Sequence, residues 1–192
     1  MEMHPMNGSG ILSPAIPMPE WLREIETEYR GKRMQGDEEK IRFTIFLASE
    51  NVRRKTGGPF GAAIFERETE KLLACGINSV VPAKLSWAHA EMTAFSNAQN
   101  MLRSFDLKGY LLASSCEPCA MCLGATPWSG VEELIYGASR EAAERVGFDE
   151  GEKPLNWHDA LRRRGIAVRG PLLAAESEEP FRLYARSGGI IY

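Results

Sequence analysis

The stretch Ser115-Cys116-Glu117-Pro118-Cys119-Ala120-Met121-Cys122 organises this sequence, together with the cluster His89-Ala90-Glu91 that precedes it. Cys119 and Cys122 are three residues apart on a predicted helix, so their sulfur atoms share one face of that helix. Pro118 suits the first helical position, where a missing N–H costs nothing. The positive end of the helix dipole favours thiolates at such a start. The two clusters therefore predict a metal site built from one histidine nitrogen and two cysteine sulfurs.

The number of ligands indicates the kind of metal site. One nitrogen and two thiolates suit Zn²⁺. A structural zinc takes four protein ligands, whereas a catalytic zinc takes three and leaves the fourth position for water. His89, Cys119 and Cys122 make three, and the nearby Glu91 can take a proton from water and pass it on. The sequence therefore predicts one catalytic zinc ion per chain.

Three other interpretations of the cysteines remain open. Cys75 could be a fourth ligand of a structural site, although it lies in an apolar predicted strand, where buried free cysteines are common. The run Cys116, Cys119 and Cys122 could hold an iron–sulfur cluster, but that would need a fourth cysteine and would leave the His-x-Glu cluster without a role. The cysteines could also be core residues without a ligand role. We leave Cys116 out of the predicted zinc site.

The composition of the chain limits the classes of protein to which it can belong. The chain has 192 residues, of which 44% are hydrophobic, and this is enough for one domain with a sizeable core. A net charge of −3 lacks the basic surface of a nucleic-acid binder. Apolar runs fall short of a membrane span, and prolines interrupt the N-terminal stretch where a secretory signal would lie. Clustered cysteines then favour the cytoplasm, where thiols stay reduced. We expect a cytoplasmic protein that binds neither nucleic acid nor membranes.

The order of predicted elements indicates an α/β fold. Residues 1–36 are predicted to be a leader and a short helix, and residues 37–192 to be the functional domain. That domain begins with a helix to about Arg54 and a hairpin of strands over 60–65 and 71–77. Helices then alternate with strands, with helices over about 86–103, 117–126, 139–145, 154–164 and 174–185, and strands over 109–113, 131–136 and 166–168. Pro180 kinks the last helix or starts it afresh. This pattern predicts a mixed sheet with helices on both faces.

Several motifs resemble those of a known family. His89-Ala90-Glu91 followed by Pro118-Cys119-x-x-Cys122 is similar to the zinc nucleobase deaminase signature. Further stretches resemble the bacterial guanine deaminases of the cytidine-deaminase-like superfamily: Gly57-Gly58-Pro59-Phe60-Gly61-Ala62-Ala63, Asn78, Gly147-Phe148-Asp149-Glu150-Gly151 and the Gly188-Gly189-Ile190-Ile191-Tyr192 end. The resemblance covers roughly residues 38–192.

The resemblance implies a three-layer α-β-α sandwich with a mixed five-stranded sheet, a homodimer, and hydrolysis of guanine to xanthine and ammonia. It also implies a role for each site residue: zinc ligands at His89, Cys119 and Cys122; a proton shuttle at Glu91; recognition and proton relay at Glu150; and contacts to the purine from Asn78, Phe60, Trp128, Phe148 and, in the closing C-terminal segment, Tyr192.

Guanine suits a carboxylate at Glu150 because it offers N1–H and an amino group on one edge. Adenine has an acceptor at N1 and would leave that carboxylate poorly paired. A related free base, nucleoside or aminotriazine, such as cytosine, guanosine or ammeline, is the alternative substrate. A tRNA-editing deaminase and a non-enzymatic zinc protein are less favoured, the former because phosphate contacts need Lys and Arg.

The substrate contacts also have plainer explanations. Asn78 could make a turn, Glu150 could be a solvated acid in a polar loop, and Tyr192 could be a frayed terminus. Phe60 and Trp128 could be ordinary core aromatics. Trp87, two residues before the zinc histidine, is bulky and could narrow the pocket or only pack.

Overall fold

A mixed five-stranded sheet in the order β2-β1-β3-β4-β5 forms the centre of the computed structural model, which describes Ile16 and residues 18–191. Strand β1 pairs antiparallel with β2 and with β3, whereas β3, β4 and β5 run parallel. The predicted hairpin and mixed sheet are confirmed. The strands are β1 (Gly61–Glu66), β2 (Leu72–Ile77), β3 (Tyr110–Cys116), β4 (Glu133–Ala138) and β5 (Ala167–Arg169).

Helices cover both faces of this sheet. They are α1 (Glu20–Tyr29), α2 (Gly36–Arg53), α3 (Val80–Ala83), α4 (Ala90–Leu102), α5 (Ala120–Ser129), α6 (Arg140–Val146), α7 (Trp157–Arg163), α8 (Ala174–Ser177) and α9 (Glu179–Arg186). None of them, within the described residues, is long and apolar enough to cross a membrane. The predicted last helix proves to be α8 and α9, because Pro180 starts a new helix.

Alternate residues of the inner strands enter two different cores. Ala62 and Ile64 of β1 pack with α4, α5 and α7, while Ala63 and Phe65 pack with α1 and α2. Side chains of a strand alternate between the two faces of its sheet, so a strand buried on both faces needs apolar residues throughout. The uninterrupted apolar run of β1 therefore produces the predicted three-layer α-β-α sandwich.

Helix starts are where the sequence-based prediction differs most from the structure. Helix α4 begins at Ala90 with His89 as its N-cap, not at Ser86 or Trp87, and α5 begins at Ala120 with Cys119 as its N-cap. Pro127, which was predicted to end this helix, lies inside its last turn. A proline there removes few helical hydrogen bonds, so the helix continues past it. Helix α3 was not predicted.

Helix α1 packs on the same core as the sheet. Trp21 and Leu22 are buried, and the Glu26 carboxylate accepts a hydrogen bond from the backbone N–H of Cys75 in β2 at 2.9 Å. That bond satisfies a buried polar group of the sheet's outermost strand. The division of the chain at residue 37 stays a prediction, and the packing of α1 argues that residues 20–36 fold together with the rest.

A partly buried ion pair connects the β1–β2 turn to α2. The Glu70 carboxylate lies 2.8 Å from the ammonium of Lys40, whose residue is only 4% exposed, and it also accepts hydrogen bonds from the N–H of Gly36 and from Arg33. Lys40 first, then Gly36 and Arg33, lower the pKa of Glu70 to about 2. The pair therefore stabilises the fold only while Glu70 is ionised.

We expect Glu70→Gln to lower the free energy of unfolding by about 1–2 kcal/mol near neutral pH, because it leaves the buried Lys40 ammonium without an anionic partner. The pKa of Glu70 is lower in the folded chain than its ordinary 4.5, so this stabilisation is present above that value and is lost as the pH falls toward about 2. Urea unfolding at several pH values measures the difference, which should shrink with acidification. Glu28→Gln removes only an exposed pair with Lys32 and is the control; equal losses in both variants would contradict the assignment.

Candidate active site

Two helix N-termini converge on one group of metal-binding side chains. His89 caps α4, Cys119 caps α5, and Cys122 lies in the first turn of α5. Their ligand atoms all lie within 4.8 Å of one another, and Nδ1 of His89 is 3.4 Å from Sγ of Cys119. Three such atoms so close together can hold one metal ion. Cys119 therefore reaches the site from the cap position, not from within the helix as the sequence suggested.

The chemistry of these donors fits zinc. A hydrogen bond from the Cys122 thiol is the main cause that lowers the pKa of Cys119 to about 4, and the same bond raises the pKa of Cys122 well above its usual range. Two thiols that perturb each other in this way lie close enough to bind one divalent cation, which would displace their protons. An open set of one imidazole and two sulfurs is typical of catalytic zinc.

The other two cysteines stay outside this group. Cys116 is buried and its thiol contacts the carbonyl oxygen of Ser139 at 3.7 Å, while Cys75 is buried within β2. Among the described residues, His89, Cys119 and Cys122 are the one group of such side chains close enough to share a metal ion. The fourth-ligand and iron–sulfur interpretations are therefore not supported by the geometry.

Glu91 lies beside the metal group in the first turn of α4. It is only 6% exposed, and one carboxylate oxygen accepts a hydrogen bond from the hydroxyl of Ser114 in β3 at 3.2 Å. Burial, and then the negative charge of Cys119, raise the pKa of Glu91. A carboxyl group whose pKa is raised toward neutrality can both take and give a proton.

One cavity joins these groups to most of the predicted substrate contacts. Its lining, besides the metal ligands His89 and Cys119 and the acid Glu91, includes Phe60, Asn78, Phe148 and Glu150. The rings of Phe60 and Phe148 meet edge to face, with centroids 4.9 Å apart. Phe60 also packs on the buried Phe181, at 5.4 Å, so it is both a core aromatic and a wall of the cavity.

Asn78 makes a turn and lines the cavity at the same time. Its side-chain oxygen accepts a hydrogen bond from the N–H of Val80 at 3.3 Å. Its backbone oxygen accepts one from the buried Asn51 side chain, which also binds the carbonyl of Gly58. A Cβ on Gly57 would lie 1.9 Å from that same oxygen, so only glycine fits there. The Gly-Gly-Pro stretch thus serves to bring Phe60 and Asn78 together.

Glu150 is held in the cavity wall and is not a solvated loop acid. Its residue is 5% exposed, and its carbonyl accepts a hydrogen bond from the N–H of Ala120, the first residue of α5, at 2.9 Å. Burial is the largest cause that raises the pKa of Glu150 to about 8, followed by the negative charges of Cys119 and Glu91. A cation held by the three ligands would offset those charges and favour the carboxylate.

Two predicted contacts are not part of this cavity as described. Trp128 is 80% exposed and lines a different surface groove, because it lies in the last turn of α5, roughly 13 Å along the helix from Cys119. Trp128 therefore does not belong to the described lining of this cavity, and its contact with a bound ring stays a prediction. Tyr192 lies outside the described residues. Trp87 is 40% exposed and is absent from the described lining of the cavity, so it does not narrow it.

Sequence reasoning missed two charged residues next to the site. Glu117 lines the cavity, and its carboxylate lies 2.5 Å from the ammonium of Lys153, which also donates to the carbonyl of Pro118 at 2.9 Å. The Lys153 side chain is only 2% exposed. No local pattern marks either residue, since each looks like a charge in a polar loop. Asn51 was also missed, although a polar residue on the apolar face of α2 was a usable signal.

Comparison with known proteins gives concordant matches. The model of the cytidine and deoxycytidylate deaminase zinc-binding region matches residues 34–138. The guanine deaminase of Bacillus subtilis is 38% identical over 110 residues, which are 57% of this chain and 69% of that protein. A probable cytosine deaminase of Schizosaccharomyces pombe is 32% identical over 139 residues, 70% of this chain and 83% of that one. The structure of a guanine deaminase from Nitrosomonas europaea superposes with a TM-score of 0.85 at 36% identity, covering 93% of this chain and all of that one.

We expect alanine substitution to separate the metal ligands from the other cysteines. His89→Ala, Cys119→Ala and Cys122→Ala should each lower the zinc content of the purified protein at least tenfold, because an imidazole or thiolate donor is lost. Cys116→Ala and Cys75→Ala, which remove buried thiols outside the group, should keep zinc close to one ion per chain. Elemental analysis after dialysis measures the content. Loss of zinc from Cys116→Ala would mean that the ligand set is wrong.

Proposed function

The chain belongs to the family of the cytidine and deoxycytidylate deaminase zinc-binding region, and we propose that it hydrolyses guanine to xanthine and ammonia. One observation carries this proposal: a single cavity is lined by the metal ligands His89 and Cys119 and by two buried carboxyl groups, Glu91 and Glu150. Deamination needs an activated water and a group that moves protons, and recognition of guanine needs an acceptor for its donor edge.

The proposed roles follow from the positions of the side chains. Zinc held by His89, Cys119 and Cys122 would supply a Lewis acid that makes water a nucleophile at neutral pH. Glu91 takes the proton from that water and delivers it to a ring nitrogen of the base. It then takes the proton of the hydroxyl group added at C2 and gives it to the amine, so that C2 becomes a carbonyl and ammonia leaves. The hydroxyl of Ser114 fixes one oxygen of Glu91, so the carboxyl group meets water and base in a set orientation.

Glu150 is the residue that favours guanine over the other bases. Its carboxylate accepts hydrogen bonds from N1–H and the 2-amino group of guanine. Cytosine and adenine present a ring acceptor beside the amino group, and in a buried site an acceptor facing a carboxylate costs binding energy. Because Glu150 is only 5% exposed, water does not easily replace the missing donor.

The rest of the cavity suits a flat, neutral purine. Phe60 and Phe148 offer apolar ring surface to its faces, and the Asn78 side chain lies at the wall where it can read the O6 and N7 edge. Four acids, Glu91, Glu117, Asp149 and Glu150, occur in the described lining, which contains neither Lys nor Arg. The described lining thus offers phosphate no basic side chain, and this, with the net charge of −3, supports a free base over tRNA.

We also propose a homodimer. The groove lined by Leu123, Pro127 and Trp128 leaves Trp128 80% exposed, and exposed apolar patches of this kind commonly mark protein interfaces. Light scattering of the purified chain tests this, and the mass of a single chain would contradict it.

A cytoplasmic location is proposed as well. Cys119 and Cys122 are free thiols within bonding range of one ion, and a reducing compartment keeps such ligands available. Cell fractionation tests this location, and recovery from an oxidising compartment would contradict it.

We expect Glu91→Gln to keep its zinc and to lower kcat for guanine by about 10²–10⁴-fold, because glutamine preserves the hydrogen bond from Ser114 but cannot carry a proton. Ammonia release and xanthine formation measure turnover, with the unchanged chain as reference. Turnover close to that of the unchanged chain would show that Glu91 is not the shuttle. If the unchanged chain with full zinc releases no ammonia from guanine, the proposed function fails.

We expect Glu150→Gln to lower kcat/KM for guanine by about tenfold or more, because a glutamine amide pairs less well with two donors. A panel of guanine, cytosine, adenine, guanosine and ammeline measures selectivity. The loss should be larger for guanine than for any compound that is turned over and lacks the N1–H. An equal loss across the panel would contradict a recognition role.

A further inference from the structure

We propose that Lys153 is a positioning residue that fixes Glu150 at the active site. Lys153 follows Glu150 closely in the chain, and its side chain is 2% exposed, which is unusual for lysine. A buried ammonium is costly unless it is paired and hydrogen-bonded. The hydrogen-bond acceptors of this ammonium are Glu117 and Pro118, in the segment that carries the metal ligand Cys119.

Lys153 makes two short polar contacts with that segment. Its ammonium donates to a carboxylate oxygen of Glu117 at 2.5 Å and to the carbonyl oxygen of Pro118 at 2.9 Å. The Glu117 side chain is itself only 11% exposed. A charge-assisted pair in such a buried setting holds its partners more tightly than an exposed one.

A second tether lies between the same two segments. The N–H of Ala120 donates to the carbonyl of Glu150 at 2.9 Å, which satisfies one of the unpaired N–H groups at the start of α5. Gly151 follows with φ of +68°, and a Cβ there would lie 3.0 Å from the Cβ of Ala120. The chain therefore passes very close to the start of α5, and Glu150 is clamped between the Ala120 bond and the Lys153 contacts.

The consequence is that the proposed recognition residue Glu150 is held at a fixed distance from the metal ligand Cys119. The loop 149–153 has no helical or strand hydrogen bonds of its own to hold it. Without the Lys153 ammonium, Glu117 keeps only the long hydrogen bond from the N–H of Arg140, at 3.5 Å. Of the two tethers described above, only the bond from Ala120 to Glu150 then remains. This inference rests on the proposed function for its catalytic effect, but the tether itself is a property of the fold.

Hydrogen exchange tests the tether without any substrate. In zinc-loaded Lys153→Met, the amide of Ala120, which is protected by its bond to Glu150, should exchange at least tenfold faster, while amides in β3 should keep their rates. Lys108→Met, which changes an exposed lysine before β3, is the control. Unchanged exchange at Ala120, or loss of zinc from Lys153→Met, would overturn the proposal.

Kinetics tests whether the tether acts through Glu150. As a single substitution, Lys153→Met should lower kcat/KM for guanine at least tenfold. Added to Glu150→Gln, it should lower kcat/KM less than twofold further, because the carboxylate that it positions is already gone. If the double variant lost kcat/KM by the product of the two single losses, the two residues would act independently and the proposal would be overturned. Failure of the unchanged chain to use guanine would refute the proposed function, whereas the exchange result would still decide the tether.

A double variant separates the loss of the tether from a general loss of folding. Glu117→Gln with Lys153→Met removes both buried charges and leaves no unpaired carboxylate, so its zinc content and melting temperature should stay near those of the unchanged chain. It still lacks the bond to Pro118, so the fast exchange at Ala120 should persist. Protection at Ala120 equal to that of the unchanged chain would show that the Lys153 ammonium positions nothing.

Discussion

The convergence of the N-termini of α4 and α5 is the constraint on which the active site depends. Each helix start directs unpaired N–H groups and partial positive charge toward the same place, and this favours a thiolate at Cys119. Helix α5 follows β3 after a short connection, and α4 packs across β1 and β2. The sheet order therefore determines that His89 and Cys119 meet at 3.4 Å.

Buried charge is the second common feature of the site. Glu91, Glu150, Glu117 and Lys153 are all largely withdrawn from water, and within the described residues no buried side-chain nitrogen or oxygen lacks a hydrogen-bond partner. In such surroundings a carboxyl group keeps its proton more easily, and each hydrogen bond to it is stronger than in water. The same burial that raises the pKa of Glu91 and Glu150 keeps water from pairing with polar groups of a bound base, which supports the proposed preference for guanine.

Residues that belong to no motif hold the proposed recognition side chains in place. Asn51 binds the carbonyls of Gly58 and Asn78 from α2, and its own side-chain oxygen accepts from Thr56, whose hydroxyl accepts from Trp21 in α1. On the other side of the cavity, Lys153 binds the segment before α5. Both supports connect a loop that carries a substrate contact to a helix that packs on the sheet. Precise placement of such loops is what lets a rigid scaffold support a chosen chemistry.

The sequence alone was enough for the family and the order of the main elements, and it predicted the metal ligands and the proton carrier that the proposed function uses. These depend on short spacings and on local periodicity, and a Pro-Cys-x-x-Cys after a His-x-Glu leaves few alternatives. Tertiary structure alone decided that Trp128 lines a separate groove, that α1 joins the core, that Cys119 is a cap, and that Lys153 reaches Glu117. Each of these depends on contacts between residues distant in the chain or on where a helix begins, and hydrophobic periodicity carries no information about which polar side chains meet across a fold.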